Sequence, residues 1–395
     1  MRTTDEHAAA AVALASAPIA IDLPLREAIG LVTAAPVLAA EPSPPFDNSA
    51  MDGFAVRWED VASADASPVE LVVVDESRAG KPATRGPGPG EAVRIMTGAV
   101  MPPGADTVVQ QEVTTFADGI VTVTEACAAG SNVRRRGDDA EFGDEVVPAG
   151  VELAARHIAS AAAVGVSKVS VFRAPRVGIV VTGDELVAEG AALAEGQIFE
   201  SNSYLLEAAV RAAGGVPVLL GSVGDTPGEV LAAVAIDGLE LIVTTGGASV
   251  GAYDVVKAAL SGAGVDFMPV AMQPGKPQGL GRVDGRLVLC LPGNPVAVAV
   301  SCEMFVVPMI RAMRGLPPYR DWVEATARAS WVTPAGREQF IPVRWHDGGV
   351  EPATAAGSGS HLMARLAQAD ALARVPADVA EVREGDTVRV RRFVG

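Results

Sequence analysis

Between residues 176 and 315, short apolar runs alternate with helical stripes, and that alternation leaves few folds open. Residues 177–181 form a continuous apolar strand. Leu205, Leu206, Ala209, Val210 and Ala213 then recur at helical spacing over 201–213, closed by Gly214-Gly215. Residues 216–220 read as the next strand. Thr226-Pro227-Gly228-Glu229 is a capping box with proline at the first helical position. A third strand at 241–245, a helix at 254–260, a strand near 265–272 and a strand at 287–291 leading into a helix from Val296 complete the series. The pattern predicts a doubly wound, mostly parallel α/β domain with helices on both faces.

The flanking sequence differs. Residues 1 to about 45 read as helical: an alanine-rich opening, then Pro24 ahead of a short segment stopped by Gly30, then the stiff linker Glu41-Pro42-Ser43-Pro44-Pro45. From Phe46 onward, β-branched runs at 69–75, 92–96, 107–113 and 119–125 are separated by Gly/Pro clusters, the mark of a small β-rich domain. Helical character returns at 153–164, which predicts one discontinuous helical domain with the β module inserted between its halves. Short strands at 322–327, 340–345 and 387–393 predict a small C-terminal β-barrel. The expected division is 1–45 with 137–173, then 46–136, 174–317 and 318–395. A chain of 395 residues exceeds what one core usually serves.

Charge narrows the function. A formal net charge of −17 argues against nucleic acid, which needs a basic footprint. An anionic ligand would then require local devices: backbone N–H groups, helix N-termini, a few placed cations or a divalent metal. Three scattered cysteines, Cys127, Cys290 and Cys302, make neither a disulfide framework nor a zinc site, and the four histidines show no ligand spacing. The N-terminus carries acids where a secretory signal needs basic residues. Glu303, Pro308 and Arg311 interrupt the most apolar stretch before about 18 apolar residues accumulate, so no membrane span is expected. A cytoplasmic location follows by elimination.

In an open parallel sheet, ligands sit at the carboxyl ends of the strands. Here those ends carry Thr182-Gly183-Asp184-Glu185, Gly224-Asp225, the run from Thr245 and Gly246-Gly247 through Ser249 to Gly251, and Pro292-Gly293-Asn294-Pro295. Glu200-Ser201-Asn202 precedes a helix at the same edge. Glycines admit a ligand close to the backbone, and hydroxyls and amides donate to phosphate oxygens. Glu185, Asp225 and Asp254 are the candidate ligands of Mg²⁺, a hard cation that takes oxygen donors. Taken singly, Gly246-Gly247 is equally a tight turn, Asp225 a helix cap and Glu185 a solvated acid; the case rests on all the loops sharing one edge. Lys276, one of only four lysines, stands in the rigid loop Gln273-Pro274-Gly275-Lys276-Pro277, where a point cation suits an oxyanion. Outside this domain, the turn from Phe46 to Gly53, the loop Met96-Thr97-Gly98-Ala99 and the run Arg134-Arg135-Arg136-Gly137-Asp138-Asp139 form a second polar constellation, whose arginines are otherwise a solvated charge run.

These motifs, in this order, resemble the molybdopterin molybdenumtransferase family (molybdenum insertases of the MoeA type). The matching stretches are FDNSAMDGFAV at 46–56, RIMTGA at 94–99, RRRGDD at 134–139, TGDEL at 182–186, TTGGASVG at 244–251, PGKP at 274–277, LPGNPV at 291–296 and GSGS at 357–360. The resemblance implies Mg²⁺-dependent insertion of molybdate into adenylylated molybdopterin with release of AMP, in a four-domain homodimer. It implies transient contact with the molybdopterin adenylyltransferase and with molybdoenzymes. Asp52, Thr97, Asp139, Glu185, Lys276 and Arg337 take the catalytic positions. Ser201, Asn202, Gly246, Gly247, Ser249, Gly251, Pro277, Pro292, Gly293, Asn294 and Pro295 take the cofactor-binding ones, and Glu185, Asp225 and Asp254 the metal. The chain departs from the family at Gln273, where a second lysine is common, and at Ala364-Arg365, where a serine pair is expected; Glu200 replaces an aspartate. Three other roles stay open: a paralogue with altered oxyanion preference, molybdopterin adenylylation, and a gephyrin-like scaffold.

Overall fold

The apolar run at 177–181 lies inside the strand Arg176–Thr182, which is buried from Val177 onward. It belongs to a six-stranded sheet in the computed structural model, which describes residues 1–224, 226–247, 255–346, 348–354 and 363–394. Across the sheet the order is Val216–Val223, Arg176–Thr182, Leu241–Thr245, Arg286–Leu291, Pro277–Val283, Val265–Pro269. The first four strands are parallel, and Pro277–Val283 runs antiparallel to both of its neighbours, Arg286–Leu291 and the edge strand Val265–Pro269. The antiparallel edge begins at Asp284-Gly285, both at positive φ (48° and 83°), a two-residue turn of the kind that joins hairpins.

Alternate residues of the central strands enter two separate cores, which is why these strands read as continuous apolar runs. Val177, Ile179, Val181, Leu241, Val243 and Leu289 pack against Leu206 and Val210 of the helix Asn202–Ala212. Val180, Ile242, Val288 and Cys290 face the other way, against Val230, Val234, Val256 and Leu260. Burying each such branched side chain contributes about 1.5–3 kcal/mol. The helix Pro227–Val234 starts where the capping box predicts, with half of the box formed: Thr226 accepts from the Glu229 N–H at 3.4 Å, while the Thr226 N–H donates to the Gly224 carbonyl at 2.8 Å.

The apolar stretch from Pro295 is one helix, running from Pro295–Ser301 through a π-turn at Cys302–Val306 into Val307–Met313. This corrects the expected interruption. Glu303 is neutralised by Arg320 and accepts from the Val394 N–H at 2.7 Å, and Pro308 falls within the first two positions after the π-turn. The 19-residue helix is apolar enough to cross a membrane by length and composition, yet 89% of its most apolar window is buried inside this fold.

By internal contacts the chain divides into two units, Met1–Ile21, Gly30–Ala34 and Val171–Gly395 in one, Asp22–Ile29 and Ala35–Ser170 in the other. In the first, the opening helix Thr4–Leu14 buries Ala8 and Ala11 in the α/β core, with the His7 ring edge-on to Phe305 at 4.7 Å. The helical expectation for the first 45 residues holds only there. Ala20–Pro24, Val32–Thr33 and Val37–Leu38 are strands, the last paired with Glu145–Val147, and Leu25–Glu27 is a single 3-10 turn. The C-terminal strands Val323–Ala327, Glu338–His346, Gly349–Pro352, Ala371–Val375 and Thr387–Arg392 close on themselves through the pairing of Glu338–His346 with Ala371–Val375, forming a five-stranded barrel.

The second unit carries a six-stranded sheet in the order Thr107–Gln110, Gly53–Val56, Glu91–Ile95, Val69–Ser77, Ile120–Val123, Thr114–Ala117. The helix Ala155–Ala163 follows it in sequence.

Candidate active site

Strand order reverses in the α/β sheet between Arg176–Thr182 and Leu241–Thr245: the next strand after the former lies on one side of it, and the latter on the other. The crevice at such a reversal is where doubly wound sheets bind ligands. Three of the sequence-selected loops meet there. Asn202, at the start of its helix and nearly buried, donates through Nδ2 to the Gly293 carbonyl (2.8 Å) and to Thr245 Oγ1 (3.2 Å). Thr245 Oγ1 donates in turn to the Pro292 carbonyl at 3.0 Å. The packing leaves no room for larger residues: a Cβ on Gly246, at φ +96°, would stand 2.4 Å from the Thr182 carbonyl, and one on Gly293 would stand 3.3 Å from Gly246 Cα. Gly247 is also at positive φ, so the two glycines do form a tight turn, on the edge where the ligand loops gather.

Asn202 Oδ1 and Thr182 Oγ1 are buried at this edge without a hydrogen-bond partner among the described residues. Glu200 serves the fold, because its Oε1 accepts from the Ser203 N–H at 2.9 Å and so caps the helix, while Ser201 makes no capping bond. Asn294 and Pro295 open the long core helix. Beside these loops a cavity of about 200 Å³ is lined by Leu186, Glu200, Ser203, Tyr204 and Ser222 among others. Thr245 was placed on the ligand edge by the sequence, but its bonds to Asn202 and to the Pro292 carbonyl were not readable there.

Glu185 is exposed, with its carboxylate folded back over Gly183. Asp225, Ser249, Gly251 and Asp254 lie outside the described residues, and the helix cap that Asp225 offered is filled by Thr226. Among the described residues no three His, Cys, Asp or Glu side chains converge. The donor set Glu185, Asp225 and Asp254 is nonetheless all carboxylate oxygen, the chemistry that Mg²⁺ accepts. Lys276 is exposed at the tip of its loop. The strand Met272–Gln273 leaves the α/β sheet and pairs in parallel with Glu338–Gln339 of the barrel, so the Lys276 loop starts beside Arg337.

In the second unit, backbone bonds join the three remaining motifs. Gly98 N–H donates to the Ser49 carbonyl (2.8 Å), Ser49 N–H to Ala99 (3.0 Å) and Met101 N–H to Asp47 (2.9 Å), and Asn48–Ser49 pairs with Val133–Arg134. Asp52 Oδ1 accepts from both the Thr97 N–H (2.7 Å) and its hydroxyl (2.8 Å), and these bonds hold the carboxyl below the usual aspartate range. Asp47 is lowered in the same way by the Arg136 N–H and the Arg135 guanidinium. Part of the arginine run therefore has a structural use. Asp139 is tied through its N–H to the Ser43 carbonyl at 2.9 Å and keeps its carboxylate exposed.

Residues 2–165 match the MoeA N-terminal region (domain I and II), 178–312 a probable molybdopterin binding domain, and 324–393 the MoeA C-terminal region (domain IV). The chain is 40% identical over 403 residues to molybdopterin molybdenumtransferase 2 of Mycobacterium tuberculosis, covering 99% of each. This chain belongs to the MoeA family of molybdopterin molybdenumtransferases. The Nostoc member is 40% identical over 382 residues, covering 93% of this chain and 87% of its own. The crystal structure of the molybdopterin biosynthesis MoeA protein from Pyrococcus horikoshii superimposes with a TM-score of 0.85 at 30% identity, covering 100% of this chain and 99% of that one. Membership in the MoeA family accounts for the three regions occurring in one chain, and for the barrel that follows the α/β domain.

Proposed function

We propose that this chain inserts molybdate into adenylylated molybdopterin, releasing AMP with the help of Mg²⁺. The observation that carries the reading is the Asn202–Thr245–Pro292/Gly293 network at the strand-order reversal, which ties two strand-end loops and a helix start together on one edge. The phosphates bind along that edge. Glu185, Asp225 and Asp254 hold the cation, which when bound neutralises charge on the pyrophosphate as AMP leaves. Lys276 and Arg337 hold molybdate near the dithiolene, so that much of the rate gain comes from positioning. Asp52, Thr97 and Asp139 belong to the same chemistry through the motif in which each stands. The expected molecule is a cytoplasmic homodimer in the four-domain division of the family, meeting the adenylyltransferase and molybdoenzymes in passing.

Two substitutions favour one second reading, a paralogue with altered oxyanion preference. Gln273 removes a cation and Arg365 adds one. The deciding experiment supplies purified protein with adenylylated molybdopterin and Mg²⁺, with and without molybdate, and follows AMP and metal-loaded cofactor. Coupled AMP release and insertion, lost in Glu185→Ala, is the expected result. Nucleotide binding without insertion would overturn it.

A further inference from the structure

The loop that presents Lys276 is held from below by a buried side chain that none of the motifs contains. Gln278 is fully buried, and its Nε2 donates both to the Gly275 carbonyl (2.7 Å) and to Ser301 Oγ (2.8 Å). Ser301 is also fully buried and ends the first α-helical stretch of the core helix, whose opening residues Asn294 and Pro295 follow the Pro292-Gly293 loop. Gly275 sits at φ +103°, and a Cβ there would stand 3.0 Å from Ser301 Oγ and 3.4 Å from Gln278 Nε2. The loop thus rests directly on the helix. Gln278 Oε1 is left buried without a partner among the described residues, an arrangement that costs stability and needs a reason.

We propose that Gln278, with Ser301, is a positioning residue that sets the distance between Lys276 and the nucleotide-binding edge. One rigid helix carries the Pro292–Asn294 loop at its start and the Gln278 anchor point at Ser301. The cation that faces the oxyanion and the loop that faces the nucleotide are thereby referred to one element. A leucine or methionine at 278 would remove the orphaned acceptor, but it would release the Gly275 carbonyl and take the donor from Ser301 Oγ. The lysine would then sample positions outside reach of the oxyanion while the nucleotide edge stayed intact. This inference rests on the proposed role of Lys276 toward molybdate.

The test is a molybdate titration of AMP release in the wild type and in Gln278→Leu, Ser301→Ala and Lys276→Ala, beside calorimetric binding of adenylylated molybdopterin and thermal unfolding. Gln278→Leu should raise the half-saturating molybdate concentration on the order of tenfold, the size expected for one lost buried hydrogen bond. The rate at saturating molybdate and the nucleotide affinity should hold. Ser301→Ala, which keeps the bond to Gly275, should give a smaller shift in the same direction, and it carries the test if Gln278→Leu does not fold. A general loss of structure would lower saturating rate and nucleotide affinity together, and that result overturns the positioning role. If Lys276→Ala weakens molybdate use and Gln278→Leu and Ser301→Ala do not, the inference fails alone; if Lys276→Ala has no effect, the reading beneath it fails.

Discussion

The Asn202 amide donates to the Gly293 carbonyl at 2.8 Å across 91 residues of chain, locking a helix start to the loop ahead of the core helix. Leucine at 202 keeps the branching and the number of side-chain heavy atoms but has no donor. Asn202→Leu should destabilise the protein by about 1–3 kcal/mol, since Gly293 O and Thr245 Oγ1 lose a partner in a buried place. Affinity for adenylylated molybdopterin should fall at least about tenfold. Urea unfolding and calorimetry check the two effects, and unchanged affinity would remove the ligand from this edge.

A methyl group separates two glycines in their consequences. Gly246→Ala forces an unfavourable backbone conformation at φ +96° and a contact 2.4 Å from Thr182 O. It should cost at least about 1–3 kcal/mol and weaken nucleotide binding. Gly228→Ala, in the helix Pro227–Val234 with nothing within 4 Å of the new carbon, should instead stabilise by about 0.4–1 kcal/mol. Paired thermal melts read both signs.

His7 makes the fold sensitive to acid. Burial in the core pushes its imidazole down to about 4, and neither ring nitrogen has a partner among the described residues. The unfolded chain takes up a proton near the ordinary histidine value of about 6.5, and the folded one only near 4. Stability should therefore be full above about 6.5 and decline as pH falls toward 4, by up to roughly 3 kcal/mol from this group. His7→Leu should flatten that part of the curve in unfolding measured from about pH 7.5 to 4.5; an unchanged slope would show that other groups dominate.

Oxyanion use should follow charge. Arg365 is exposed on the short helix Met363–Leu366, which packs near the helix Pro295–Ser301. Arg365→Ala should raise the half-saturating molybdate concentration several-fold, and Gln273→Lys should lower it. The same titration with tungstate shows whether the pair sets preference as well as affinity. No change in either variant would sink the idea that Arg365 restores the positive charge lost at Gln273.

Thr97 tunes Asp52. Thr97→Val leaves the backbone donor and removes the hydroxyl, so the Asp52 pKa should move part of the way back toward 3.8. In the wild type the bond is complete above that value and is lost as pH falls through the lowered one. A carbon-detected NMR titration of the carboxyl measures the shift, and insertion should slow in the same variant.

The α/β domain was legible because its signals are local. The apolar run at 177–181 and the β-branched run at 241–245 are short, bounded by glycine or proline and suited to strands buried on two faces, and Thr226-Pro227-Gly228-Glu229 carries the signals of a helix start. The edge hairpin was equally readable from Asp284-Gly285 and went unread. The first 45 residues misled for a different reason. Val37–Leu38 forms a strand only because Glu145–Val147 lies beside it, and no sequence window around Val37 contains that distant partner. At the candidate site, Glu185, Asn202, Thr245, Gly246 and Lys276 were visible as residue types at the carboxyl edge, whereas Gln278 and Ser301 read as ordinary strand and helix residues.

By itself the sequence determined which segments are strands and helices of the central domain, which loops face its carboxyl edge, and the family to which the chain belongs. Periodicity, caps and glycines act within a few residues, so each can be read where it stands. Only the tertiary structure decided that the strand order reverses beside Thr182 and Thr245, that Asn202 reaches Gly293, and that Gln278 supports the Lys276 loop from Ser301. These are hydrogen bonds between groups far apart in the chain. They form only because packing two cores on one sheet brings the groups within about 3 Å, and no local preference encodes that meeting.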